Sequence, residues 1–175
     1  MQRETPLIRR SRFPNFIDRQ ELKLRFDEGK ADLFYNEVSR HLPLYCYAPE
    51  REITYVTTIY FDTRDFRFYT RANKFRNDNL KLRLKEYYYK LSDEQFEISP
   101  YCWVEIKRRL GKSTNKRRFK IRKKATKELF AGKDIFPRIV EVNQNRKEEE
   151  IREIYDDFLY FVQTHKVQPY SATNY

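Results

Sequence analysis

The chain has 175 residues, a formal net charge of +11 and 36% charged residues. Its length suits a single domain able to bury a sizeable core, and its charge attracts polyanions: nucleic acid, anionic lipid, nucleotide or polyphosphate. Three glycines (Gly29, Gly111 and Gly132) exclude a glycine-rich phosphate loop, and two histidines (His41 and His165) leave no credible Ser–His–Asp arrangement. Cys46 and Cys102 form no metal-ligand spacing, fit a reducing compartment, and neither reads as a catalytic thiol. Met1 to Arg12 has no apolar stretch flanked by small residues, and no later apolar run is long enough to cross a bilayer. The expected location is cytoplasmic.

In chain order, residues 1–15 form a basic lead-in with two prolines, and residues 16–175 form the domain. Ile17 to Phe26 alternates as a strand. Lys30 to Leu42 carries Leu33, Phe34, Val38 and Leu42 at helical spacing, which predicts an amphipathic helix ended by Pro43. Ile53 to Asp62 is β-branched and aromatic, so it reads as a strand with Thr58, Tyr60 and Asp62 on one face. Thr63 to Ala72 reads as a short helical or turn segment, with Phe66 and Tyr69 able to pack inward. Asn77 to Asn79 turns the chain into a strand beginning at Leu80, and Leu91 to Pro100 reads as a polar, acidic loop. Lys124 to Ala131 suits one or two helical turns. Arg146 to His165 is the clearest helix, with an apolar stripe of Ile151, Ile154, Tyr155, Phe158, Leu159 and Val162, acidic residues near its start, and Pro169 to stop it.

The most informative stretch is Leu80 to Arg122. Side chains alternate across a strand, so Lys81, Arg83 and Lys85 oppose Leu80, Leu82 and Leu84. By the same parity Glu105, Lys107 and Arg109 oppose Val104 and Ile106, and Lys116, Arg118, Lys120 and Arg122 oppose Phe119 and Ile121. Earlier, Arg19, Glu21, Lys23 and Arg25 oppose Leu22, Leu24 and Phe26. Any one such strand reads as the solvated outer face of an antiparallel sheet. Taken together, the polar positions are almost all Lys or Arg, and like charges directly opposite each other destabilise a sheet. That pattern points to a multiply anionic partner. A carboxylate-held divalent ion among lysines and arginines also suits phosphoryl transfer, where catalysis is largely positioning and charge neutralisation.

At these residues the sequence resembles the triphosphate tunnel metalloenzymes and, within them, the VTC-type polyphosphate polymerase domain. The resemblance is carried by Arg19-x-Glu21-x-Lys23, Thr58-Ile-Tyr60-Phe61-Asp62 with Tyr69 following, Lys81-Leu-Arg83-Leu-Lys85-x-Tyr87, Val104-Glu-Ile-Lys107 and Lys116-Arg-Arg118-Phe. It implies an α+β fold: an antiparallel β-barrel forming a tunnel, its interior charged and its helices outside, lacking its final strands within these residues. It also implies that Lys107, Arg83 and Lys85 act in catalysis, that Lys23, Lys81, Lys116, Arg118, Arg19 and Tyr60 hold phosphate, and that Glu21 and Glu105 hold Mg²⁺ or Mn²⁺. For either glutamate a salt bridge with a neighbouring cation is an equal alternative. Lys85 stands where the family's usual residue is Arg, which keeps the charge and loses the bidentate fork. The implied partners are nucleoside triphosphate and polyphosphate, and the implied reaction moves a terminal phosphoryl group onto a polyphosphate chain. Hydrolysis of inorganic or RNA 5′-triphosphate would use the same tunnel. A third reading is a binding module in which Tyr87, Tyr88 and Tyr89 stack on single-stranded nucleic acid. It is less favoured because those aromatics form a run and do not alternate with the cations.

Overall fold

The computed structural model describes residues 25–42, 54–75, 77–92 and 95–174. The expected first strand lies outside them except for Arg25 and Phe26, which are in no strand. Helix α1 spans Glu28–Ser39, starting and ending earlier than its periodicity predicts. Its apolar residues do not pack inward. Leu33 and Phe34 are exposed, and Phe34 stacks only locally on Phe26 at 4.5 Å.

Among the described residues six strands form one antiparallel sheet: β1 (Tyr55–Asp62), β2 (Asp78–Lys90), β3 (Phe96–Ile98), β4 (Tyr101–Leu110), β5 (Ser113–Arg122) and β6 (Gln168–Asn174). The order is β5-β4-β2-β1-β6, with β3 also paired to β2. The expected loop from Leu91 to Pro100 therefore contains a strand, because β2 runs on to Lys90 and gives β3 a ladder to join. Pro100 separates β3 from β4, since proline has no N–H to donate to a ladder. Between β4 and β5, Leu110 pairs with Ser113 across the two-residue turn Gly111-Lys112. Gly111 has φ +61, a first turn position that glycine fills without steric cost.

Leu80, Leu82, Val104, Ile106, Phe119 and Ile121 project from one face of the sheet and are buried under helices. Helices α3 (Thr126–Phe130) and α4 (Phe136–Glu141) follow β5, and α5 (Glu148–His165) lays Ile151, Ile154, Tyr155, Phe158, Phe161 and Val162 into the core. Burying several such side chains contributes about 1.5–3 kcal/mol each before conformational entropy is set against it. One cation sits among them: Arg117, on the apolar face of β5, is 4% exposed and paired with Glu153 at 3.1 Å and with Asp157, both on α5. These ionic contacts hold α5 in register on the sheet.

Two expectations are corrected here. In α2 (Arg67–Lys74) the residue that packs inward is Phe68, whereas Phe66 and Tyr69 are exposed. Pro169 does not end α5. The helix stops at His165, where Lys166 takes the left-handed conformation (φ 49), and Pro169 lies within β6. β6 pairs with β1, with a bulge opposite Tyr60 and Phe61 that leaves Tyr170 as the extra residue.

The sheet is open among the described residues, with β5 and β6 as its edges, so closure into a barrel is not formed there. The β5 edge is covered by side chains. Buried Asn143 accepts the Lys120 N–H at 2.9 Å and donates to the Lys120 carbonyl at 2.7 Å, and Arg146 donates to the Arg118 carbonyl. An amide side chain thus stands where a neighbouring strand's backbone would.

Candidate functional site

Opposite the helix-covered face, the strand register sets the charged residues in rows. Lys81 of β2 is directly across from Lys107 of β4, which is across from Lys116 of β5. The next row reads Tyr60, Arg83, Glu105 and Arg118 from β1 to β5, and the row beyond reads Thr58, Lys85, Trp103 and Lys120. Directly opposed side chains in an antiparallel pair have Cβ atoms about 4.5–5.5 Å apart, so each row is a contiguous set. The first row thus sets three lysines side by side.

The middle row includes a carboxylate. Glu105 is 1% exposed; Arg83 Nε donates to its Oε2 at 2.7 Å, and Arg118 Nη1 lies 3.7 Å from its Oε1. Arg118 also lies over the Trp103 ring at 4.2 Å, a cation–π contact that fixes the guanidinium on the face. Burial, and then the charge of Arg83, push the Lys85 ammonium below its ordinary range; Glu105 pulls the other way, and Lys116 and Lys107 add to the depression. The neighbouring cations thus add to what burial does to Lys85. A ligand with several negative charges would offset those cations.

A family model described as the VTC domain matches residues 18–175. The chain belongs to the VTC-domain family. No curated protein matches it significantly. The family carries a polyphosphate-related context, and the VTC domain here has Lys81, Arg83, Lys85, Lys107, Lys116 and Arg118 on the face opposite its helix-covered core.

Seven residues expected at the site, Lys81, Arg83, Lys85, Lys107, Lys116, Arg118 and Tyr60, share that face by register. Arg19, Glu21 and Lys23 lie outside the described residues. Glu105 is ion-paired, both its oxygens facing guanidinium groups, and no group of three or more His, Cys, Asp or Glu placed to hold a metal ion is found among the described residues. Cys102 is buried, with its thiol pushed up to about 12 chiefly by burial, so it is no nucleophile. No helix among the described residues is long and apolar enough to cross a membrane.

The tyrosine run divides by parity. Tyr87 lies on the cationic face, while Tyr88 lies on the other and stacks on Tyr55 at 5.6 Å. Sequence reasoning also missed three residues that shape the site. Trp103 is one, although it stands at polar parity in β4 and its position was a readable signal. Asn143 and Arg146 brace the β5 edge from beyond the strand, and no local pattern marks them.

Proposed function

We propose that this VTC domain binds the phosphate chain of polyphosphate or of a nucleoside triphosphate along the cationic face of its sheet and transfers phosphoryl groups there. The observation that carries the reading is the row Lys81, Lys107 and Lys116, three directly opposed lysines beside a row in which two arginines share one buried glutamate. In this reading the lysines hold chain oxygens, while Arg83, positioned by Glu105, and Lys85 stabilise charge developing on the transferred group. The finer architecture proposed is a tunnel in which this face lines the inside. Mg²⁺ or Mn²⁺ would arrive with the substrate, bound by its phosphate oxygens. Hydrolysis with water as acceptor would use the same groups.

Thermal melts at matched ionic strength test the binding reading. A polyanion spanning several of these cations removes their repulsion and adds binding free energy to folding stability. Tripolyphosphate is expected to raise Tm well above the shift given by an equal concentration of sulfate. Equal shifts would reduce the face to a generic basic surface, and a larger response to an oligonucleotide without a 5′-triphosphate would favour the nucleic-acid reading.

A further inference from the structure

The β1–β6 side of the cationic face ends in a group of aromatic rings that the core does not use. Tyr60, directly across from Arg83, has its ring 6.3 Å from that of Tyr170, and Tyr170 meets Phe66 edge-on at 5.8 Å. Phe66 is 46% exposed, Tyr69 55% and Tyr170 39%. The Tyr170 phenol is pushed up by burial first and then by Asp62, Tyr60 and Tyr69, which places those groups around it.

Two backbone irregularities present these rings. Phe66 is a non-glycine residue at φ 54, ψ 42, a left-handed conformation that is strained in a bulky residue. Its exposed ring offsets little of that strain by burial. The turn holding it is tightly tied: the Asp62 carboxylate accepts the N–H groups of Thr63, Phe68 and Tyr69 at 2.7, 3.0 and 2.8 Å, and Thr63 Oγ1 donates to Asp65 at 2.6 Å. Tyr170 is the extra residue of the β6 bulge, and bulges re-aim side chains beside functional sites. Both irregularities bring an aromatic ring to the same place, one strand away from Arg83.

We propose that Tyr60, Phe66, Tyr69 and Tyr170 form the platform for the base of a nucleoside triphosphate whose phosphates run onto the lysines and arginines of β2, β4 and β5. Aromatic faces stack on any base, so the platform selects nucleotides over inorganic chains without selecting among bases. This inference rests on the phosphate-binding reading above and adds the nucleoside to it.

The test is calorimetric titration of wild type, Tyr170→Ala, Tyr170→Phe and Tyr69→Ala with ATP and with tripolyphosphate, in the same buffer and Mg²⁺ concentration. Tyr170→Ala is expected to weaken ATP about tenfold, as loss of one stacking contact does, and to leave tripolyphosphate within about twofold. Tyr170→Phe should keep the wild-type ATP affinity. Tyr69→Ala changes an exposed helical side chain outside the bulge and should reproduce the selective loss if Tyr170→Ala fails to fold. Wild-type binding of tripolyphosphate with ATP affinity unchanged in both alanine variants would overturn the platform and leave the phosphate site standing. Equal loss of both ligands would also overturn it, and failure of wild type to bind either would sink both readings.

Discussion

Glu105 has both oxygens directed at guanidinium groups, Arg83 from β2 and Arg118 from β5, and is almost wholly buried beneath them. A carboxylate so placed orients two cations and offsets their repulsion. Glu105→Gln should therefore lower stability by about 1.5–3 kcal/mol, the scale of a hydrogen bond to a charged group, as read from denaturant unfolding. It should leave the Mg²⁺ dependence of triphosphate binding as in wild type. Loss of that dependence would move Glu105 from positioning residue to metal ligand. At this scale the sequence was informative about which face each residue occupies, because parity in a strand needs only counting. It was silent on which of two roles Glu105 has, since a pairing between residues 22 apart depends on register.

β1, β2, β4, β5 and α5 were readable as elements because their periods of 2 and 3.6 run for many residues; five of the six residues of α5's stripe are buried as expected, Leu159 only partly so, and Phe161 is added. Short elements were not readable. β3 has three residues and α4 six, too few for a period, and the bulge at Tyr170 leaves no mark in composition. Lys166 ended α5 where Pro169 was expected, because a left-handed cap needs only a residue that tolerates it and a chain that must reverse toward β6. The end of α5 also carries a titration. His165 stacks on Phe161 at 5.7 Å and meets Phe68 edge-on at 6.0 Å, its Nε2 is buried without a hydrogen-bond partner, and burial first, then Arg67, hold its pKa below the ordinary 6.5. The unfolded chain binds this proton more readily than the folded one, so the contribution is fully present above about 6.5 and is lost as pH falls from there through the folded value. Wild type should lose more Tm between pH 7.5 and pH 5 than His165→Gln does. An equal loss in both would place the acid sensitivity elsewhere.

At the scale of the sheet, α3, α4 and α5 cover one face, and most of the strand lysines and arginines lie on the other. An ordinary soluble sheet could look the same in outline, since apolar-in and polar-out is the common antiparallel pattern. What distinguishes this one is the directly opposed row Lys81, Lys107 and Lys116, since like charges directly across a strand pair destabilise a sheet. The β5 edge is already occupied by Asn143 and Arg146 at the Lys120 and Arg118 backbone, so a tunnel would have to close elsewhere than by a strand pairing there. The central claim is that these cations act together on one phosphate chain, and calorimetric titration of tripolyphosphate into wild type, Lys107→Ala and Lys127→Ala tests it most directly. Both variants lose one positive charge, but Lys127 is exposed on α3, away from the row. Lys107→Ala should weaken binding by about 1.5–3 kcal/mol, the worth of a charge-assisted contact, and Lys127→Ala should leave it nearly unchanged. Equal weakening by the two would contradict the account, because the protein would then be attracting the anion by net charge alone.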